Sequence, residues 1–255
     1  MSGFFHTYLY EPIYNLLVFL VSVVPGTDIG VAIILATLIV KVLLLPLSLS
    51  AARTQKAMKV IEPELKKLRE KYKNDKEKQA REMFALYARY GIKPFSSILS
   101  ILIQLPIIIG LYWVFSTESL PGVDASLLYS FVHVPTVVAS TMFLGLINIT
   151  GHSILLTILA MVTQFVQAWY TIPVPPASAE VGGTMGEDFA RAMTLQARFV
   201  LPLIVGFVAY TSGAIALYFI TSSIVALAQE YLVRANKKPI LPLPPAVKTK
   251  ALKVS

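Results

Sequence analysis

The chain has 255 residues, of which 56% are hydrophobic and 14% are charged, with no cysteine and a formal net charge of +8. Soluble domains usually carry about 25% charged residues, so this chain lacks the polar surface that a water-soluble fold needs. The composition also excludes a disordered chain, which is poor in apolar residues, and a disulfide-stabilised secreted module, which needs cysteines. Lipid is therefore the expected solvent for much of the chain.

The cations are concentrated in two segments. Residues 51–97 hold thirteen Lys and Arg against six acids, and the tail 234–255 holds six cations and no acid. Residues 1–28 and 118–152 hold neither Lys nor Arg. Because cytoplasmic segments of membrane proteins retain Lys and Arg, the first two segments are predicted to be cytoplasmic and the other two external.

The first segment, 1–28, is predicted to be an amphipathic helix lying along the external membrane interface. Its uninterrupted apolar run is shorter than the roughly 20 residues that a bilayer requires, and His6, Glu11 and Asn15 interrupt the part before it. A sixth span or an uncleaved signal anchor is the alternative. A cleavable signal peptide is not expected, because no basic residue precedes the apolar run.

Five spans follow from length and charge, and they predict an all-α polytopic membrane protein with an external N-terminus and a cytoplasmic C-terminus. The predicted spans are 29–50, 98–117, 153–171, 198–211 and 213–233, with a cytoplasmic loop at 172–197. The last two come from one apolar stretch that is long for one helix and short for two. A turn near Thr211, Ser212 and Gly213 returns the basic tail to the cytoplasm. The fourth helix is expected to begin near Phe189, with a water-exposed end carrying Arg191 and Arg198.

The cytoplasmic segment 51–97 is predicted to be an antiparallel helical hairpin. Apolar residues recur at helical spacing before and after a polar turn at 73–76. They are Met58, Ile61, Leu65, Leu68 and Tyr72, then Ala80, Phe84 and Tyr87. A solvated connector would explain the charges but not these two stripes, which need burial against each other, lipid head groups or a partner.

Lys41 is the only cation in the interior of a predicted span. A lysine at this position raises the free energy of membrane insertion by about 2.5–3.5 kcal/mol, so its side chain should face water or a partner. About ten residues separate it from the inner end of the predicted span, which is roughly 15 Å at 1.5 Å per residue and exceeds the reach of a lysine side chain. Glu230 lies near the inner end of the last span, so an ion pair is not expected. A hydrated cavity is favoured over snorkelling to the interface.

Most of the remaining polar residues of the spans lie towards the predicted cytoplasmic side, whereas Thr157 lies in the outer half of the third span. Thr37, Lys41 and Ser48 share one face of the first span, and the others are Ser97, Ser100, Gln104, Gln164, Gln167, Thr221, Ser222 and Ser223. Each Ser or Thr alone could bond its own helix backbone. Together they predict a hydrophilic groove that opens to the cytoplasm and closes towards the outside.

A half-depth groove narrows the possible functions. A channel needs a polar path through the whole membrane, which a half-depth groove does not provide. A secondary transporter usually has repeated halves and broken helices, and the sequence shows no convincing internal repeat. The three histidines lie in external segments without metal-ligand spacing, and no nucleophile motif is present. No enzyme activity, cofactor or metal is expected.

Three segments resemble the YidC family of membrane protein insertases, the bacterial relatives of the Oxa and Alb insertases. They are AIILATLIVKVLLLPLSLS at 32–50, PELKKLREKYKNDKEKQAREMFALYARYGIKPF at 63–95 and LIQLPIIIGLYWVF at 102–115. The resemblance continues more loosely to residue 233. It implies a five-helix core, a cytoplasmic hairpin and a groove open to cytoplasm and lipid.

The resemblance also implies roles for individual residues. Lys41 matches a basic groove residue that is usually Arg in the family, and Thr37 matches a groove threonine. Tyr218 and Phe219 match an aromatic pair on the last helix. The exchange of Arg for Lys matters because arginine stays charged, whereas a lysine in a poorly hydrated site can lose its proton.

The predicted function is a membrane protein insertase and chaperone of the bacterial plasma membrane. Its partners would be nascent membrane proteins and lipid, with the ribosome and the Sec translocon contacted through the hairpin and the basic tail, and no DNA. The tail could equally bind anionic lipid. The predicted groove residues are Lys41, Thr37, Gln104, Gln164, Gln167, Tyr218 and Ser222. A small-solute secondary transporter is the alternative, and a scaffold without insertion activity comes third.

Overall fold

The computed structural model describes residues 3–92, 106–114, 122–135, 138–171 and 185–235. These residues are mostly helical. In chain order the helices are α1 (Glu11–Val23), α2 (Ile29–Leu43), α3 (Leu45–Lys71), α4 (Lys76–Arg89), α5 (106–114), α6 (Ile154–Thr171), α7 (Met185–Tyr210) and α8 (Gly213–Ala235). Two helical turns, Gly3–Phe5 and His6–Tyr10, precede α1. The residues fall into two compact units, 3–44 with 106–231 and 45–92 with 232–235.

The core of the first unit is built on the periodic apolar face of α1. Tyr14, Leu17, Val18 and Val21 recur at helical spacing, and each is at most 2% exposed. They belong to one cluster with residues of α2, α5, α6, α7 and α8. The partners include Ile29, Ala32, Ile33, Val114, Leu156, Ala160, Val205, Ala209 and residues 214–219. The other face of α1 is apolar and exposed. The position of residues 1–28 along the external membrane interface stays a prediction.

The start of α2 is fixed by Asp28. Its Oδ1 accepts from the backbone N–H groups of Gly30 at 2.7 Å and Val31 at 3.1 Å, which satisfies two donors at the helix N-terminus. Its Oδ2 accepts from the backbone N–H of Leu144 at 2.7 Å. One carboxylate therefore both begins α2 and fastens a distant loop to it.

That loop, the α5–α6 loop (122–135 and 138–153), contains strands β1 (Met142–Phe143) and β2 (Ile147–Asn148), which pair antiparallel. The amide of Asn15 donates to Leu127 O at 2.9 Å, and its Oδ1 accepts from Tyr129 N at 2.7 Å. The loop is thus attached to α1 by side-chain hydrogen bonds. Asn15, which interrupts the apolar run in the sequence, is 2% exposed.

The first predicted span is not one helix. α2 ends at Leu43 and α3 begins at Leu45, whereas a continuous helix over 29–50 was expected. Pro46 explains the break, because proline cannot donate a backbone hydrogen bond and its ring clashes with the preceding turn. Lys41 therefore lies in the last turn of α2 and not in the middle of one continuous helix. Its distance from the inner end of the span stays a prediction.

Of the last three helices, α6 and α8 lie close to the predicted spans, whereas α7 begins at Met185, within the predicted loop 172–197 and before the predicted start of the fourth span at 198. α6 covers 154–171 of the predicted span 153–171, and α8 extends two residues beyond the predicted 213–233. The turn between α7 and α8 falls at Thr211 and Ser212, as expected. Arg198 was expected in water, but it is only 9% exposed.

Arg198 is buried because it packs on α6. Its guanidinium carbon lies 4.6 Å from the centre of the Trp169 ring, and it donates to Trp169 O at 3.2 Å. The aromatic face and a backbone carbonyl together replace water around the cation. The side chain of Arg191 lies outside the described part of the structure.

The second unit is the predicted hairpin of α3 and α4. Asp75 begins α4 by accepting from Lys78 N at 3.0 Å. The buried contact joins Ala57, Ile61 and Leu65 of α3 to Leu86, Tyr87, Tyr90 and Ile92. On α4 the predicted stripe was partly wrong, because Ala80 and Phe84 are exposed. The α4 residues that pack are Met83, Leu86 and Tyr87, a face rotated from the predicted one.

Two of the described helices, α6 and α8, are each long and apolar enough to cross a membrane. A third candidate exists if α2 and the first part of α3 form one broken span. The apolar part of α7, Arg198–Tyr210, is shorter. The finding supports an all-α membrane protein, while the count of five spans and the topology stay predictions.

Candidate functional site

Lys41 and Thr37 lie one turn apart on the same face of α2. Thr37 is 3% exposed and donates to Ile33 O at 2.7 Å, the local role expected for an isolated threonine. Lys41 is half-buried. The exposed apolar side chains of α2 are centred on Val42, about 100° from Lys41 around the helix, while the buried Ile33 and Thr37 lie on the other side of Lys41. Lys41 therefore lies at the edge between the buried face and the exposed apolar face, which in a membrane suits lipid.

A side-chain hydrogen bond joins α6 to α8. Ser223 Oγ donates to Gln164 Oε1 at 2.9 Å, and Ser223 is 2% exposed. Gln167 follows Gln164 by three residues, so both amides lie on neighbouring positions of one helical face. Both are half-buried. The two candidate spans α6 and α8 thus bring amide and hydroxyl groups together within an apolar pair.

The polar side chains of α8 follow a fully buried stretch. Residues 212–219 are all buried, and Tyr218, at 3% exposure, packs its ring edge-on to Phe219 at 5.4 Å. Tyr218 also hydrogen-bonds to Ser222, one turn later, which is half-buried. The first turns of α8 therefore pack in the core, and polar side chains that are accessible from outside the core begin near Ser222.

Burial divides the predicted groove residues into two groups. Lys41, Gln164, Gln167 and Ser222 are half-buried and can meet water or a substrate, whereas Thr37 and Tyr218 are buried and can only position their neighbours. Gln104 lies outside the described residues. Ser48 was expected on the face of Lys41, but it belongs to the next helix, α3, where it donates to Leu45 O.

Sequence reasoning did not identify the polar residues with the best-defined partners. Asn15 and Asp28 hold the α5–α6 loop, and Arg198 holds α6 to α7. The sequence did offer a signal for such residues: an amide or a carboxylate beside an apolar helical stripe. A polar group that becomes buried there requires hydrogen-bond partners. Within the described ranges, no three His, Asp or Glu side chains gather as a metal-ligand set.

The helices and the polar face define a helical, multi-pass membrane protein. A family model described as 60Kd inner membrane protein matches residues 19–239, and the chain belongs to this family.

Similar proteins carry the names of insertases. Membrane protein insertase YidC of Clostridium tetani is 28% identical over 211 residues, covering 82% of this chain and 83% of the relative. Membrane protein insertase YidC of Fusobacterium nucleatum is 29% identical over 228 residues, covering 87% and 96%. Membrane protein insertase MisCA of Bacillus subtilis is 27% identical over 236 residues, covering 91% and 79%. The resemblance to the YidC insertases is confirmed, and the chain is a multi-pass protein of the bacterial plasma membrane.

Proposed function

We propose that the chain inserts nascent membrane proteins into the plasma membrane and assists their folding. The observation that carries this proposal is Lys41, a half-buried cation one turn after the buried Thr37 on an otherwise apolar helix, in a chain of the insertase family. A buried cation is unfavourable in lipid and is retained where it contributes to function.

The proposed mechanism uses a hydrated groove formed by α2, α6 and α8. Lys41 attracts an acidic or polar segment of the substrate, and the amides of Gln164 and Gln167 replace part of its hydration. This lowers the free-energy cost of moving that segment away from bulk water. Transfer of the hydrophobic helix of the substrate from water to lipid then drives its release.

The insertion test uses protein-free liposomes and a single-span substrate with a short acidic external segment. Wild type, Lys41→Arg and Lys41→Ala are compared with Val42→Ala, a matched control on the exposed apolar face of the same turn. Insertion by wild type, Lys41→Arg and Val42→Ala, with loss in Lys41→Ala, is expected. Equal insertion by all four would show that the charge is dispensable. Solute flux without insertion would favour the transporter.

The topology belongs to the same proposal. Five spans with an external N-terminus place the cation-free segments outside and the hairpin inside. The chain has no cysteine, so single cysteines can be introduced without removing others. A cysteine at Asn74 should react with a membrane-impermeant thiol reagent from the cytoplasmic side, and one at Thr150 from the external side. The reverse pattern would contradict the orientation.

The hairpin is the proposed contact surface for the ribosome and the Sec translocon. Between its helices lies a cleft of about 370 Å³ whose charged lining residues are Glu64, Lys67, Lys71, Glu82 and Arg89. The cleft has three cations against two carboxylates, and residues 51–97 as a whole have thirteen Lys and Arg against six acids, which suits an acidic partner surface. Crosslinking from a photoreactive residue at Lys67 in membranes with translating ribosomes tests this contact, and crosslinks to lipid alone would contradict it.

A further inference from the structure

The turn between β1 and β2 presents apolar side chains to its surroundings. Leu144 is 64% exposed and Leu146 is 79% exposed, while Met142, at the start of β1, is 39% exposed. Residues 125–151 contain no Asp, Glu, Lys or Arg. A turn of this kind in water normally carries polar residues or glycine. The turn is therefore poorly suited to water.

The backbone of the turn makes the choice of leucine more unusual. Leu144 has φ of 51° and Gly145 has φ of 71°, both in the left-handed region. Glycine tolerates this conformation and asparagine is common in it, whereas leucine is disfavoured by its Cβ. An exposed leucine in a strained turn points to a contact that the described residues do not provide, because such strain tends to persist where it serves a function.

Hydrogen bonds hold the β1–β2 turn beside the start of α2. Leu144 N donates to Asp28 Oδ2 at 2.7 Å, and Ile29 N donates to Ser140 O at 3.1 Å. After β2, Ala214 N, at the start of α8, donates to Ile149 O at 2.9 Å. The β1–β2 hairpin is thus held to the starts of α2 and α8. It cannot move far along their axes without breaking these bonds.

The exposed apolar surface continues from this level onto a candidate span. α6 starts at Ile154, and Ile154 and Leu155 are 68% and 58% exposed. Ile158, one turn further along, is 52% exposed. These side chains suit lipid, because α6 is one of the two helices long and apolar enough to cross the membrane.

We propose that the β1–β2 turn (residues 144–146) inserts its leucines into the lipid at the membrane interface, at the end where α2, α6 and α8 begin. Three features favour lipid over a protein partner: residues 125–151 lack Asp, Glu, Lys and Arg, hydrogen bonds hold the turn beside the start of α2, and its apolar surface continues onto α6. Burial of two leucines offsets the unfavourable backbone conformation. The turn would then anchor the α5–α6 loop, and with it the ends of three helices, at the bilayer surface.

The test measures the depth of a spin label in bilayers. Single cysteines replace Leu146 or Leu144 in the cysteine-free chain, and the labelled protein is reconstituted into vesicles of phosphatidylethanolamine and phosphatidylglycerol. Relaxation by oxygen, which concentrates in lipid, is compared with relaxation by a water-soluble nickel chelate. Labels at Ile158→Cys and Asn74→Cys provide the lipid and water references, since Ile158 lies on the exposed face of α6 and Asn74 lies in the exposed hairpin turn.

The expected result is an oxygen-to-nickel ratio at residues 144 and 146 several-fold above that at Asn74→Cys and approaching that at Ile158→Cys. A ratio equal to that at Asn74→Cys, with Ile158→Cys in lipid, would overturn the lipid contact and leave the proposed function intact. Protection from both reagents would indicate a protein partner and would also overturn it. A water-like ratio at Ile158→Cys would overturn both the contact and the assignment of α6 as a span.

Discussion

Replacing Asn15 with leucine should detach the α5–α6 loop from α1. The side chain is 2% exposed and bonds two loop groups, Leu127 O and Tyr129 N, at 2.9 and 2.7 Å. Leucine has nearly the same volume but offers neither a donor nor an acceptor. Each buried polar group left unsatisfied costs about 1–3 kcal/mol, and the two loop groups are only partly buried, so the loop should lose roughly 2–4 kcal/mol of local stability, the lower part of the summed range.

Hydrogen exchange at the backbone amide of Tyr129 measures this loss directly. Because every 1.4 kcal/mol is a factor of ten, exchange should accelerate by about 30-fold to several hundred-fold. Asn15→Asp keeps an acceptor for Tyr129 N but sets a second oxygen against Leu127 O in a site that is 2% exposed, so it should also accelerate exchange above the wild-type rate. Ser22→Ala, which removes an exposed bond to Phe19 O on the same helix, is the matched control. Exchange in Asn15→Leu within twofold of wild type would refute the reasoning.

Three further substitutions test other contacts. Gly213→Ala should lower stability by about 1–3 kcal/mol, because a Cβ would lie 2.9 Å from the Ile149 backbone, whereas a Cβ at Gly151 would meet nothing within 4 Å, so Gly151→Ala should change stability little. Thermal unfolding in micelles compares them. Arg198→Met should lower the free energy of unfolding by about 1–3 kcal/mol because it loses the contacts with Trp169, and Arg198→Lys should have an intermediate effect. Equal unfolding midpoints for all three proteins would show that these contacts do not stabilise the fold. The hydrogen bond that Tyr90 donates to Glu64 at 2.6 Å raises the pKa of Tyr90, as does its burial. Since the folded-state pKa lies above the unfolded one, this stabilisation is present below about pH 10 and is lost as the pH rises through the raised pKa. In a tyrosinate absorbance titration, Glu64→Gln should ionise one tyrosine at lower pH than wild type or Glu70→Gln does, and superimposable curves would contradict the bond.

Local patterns were enough to predict the helical units. The period of apolar residues gave the α3–α4 hairpin and its turn, and hydropathy gave α6, α8 and the turn at Thr211 and Ser212. The charge distribution separated the cation-free segments from the basic ones. These features are predictable because helix periodicity and turn composition depend on residues only a few positions apart.

The polar contacts depended on distant partners and were not predictable in the same way. Asn15 meets groups 112 and 114 residues away, and Asp28 meets one 116 residues away. The break at Leu44 had a local signal in Pro46, and the break moved Lys41 to a helix end. The α4 stripe was misplaced because α3 contacts a different face than the periodicity alone favoured.

The sequence by itself determined that this chain is a helical membrane protein with a basic, amphipathic helical hairpin and one cation inside an apolar helix. Only the tertiary structure decided which polar groups are partnered and which remain accessible. Gln164 is bonded to Ser223, Ser222 is bonded to Tyr218, and Arg198 is stacked on Trp169. Lys41, Gln164, Gln167 and Ser222 are half-buried. The reason is physical: the sequence shows that a buried polar group needs a partner, but the partner is set by which backbones the fold brings within about 3 Å.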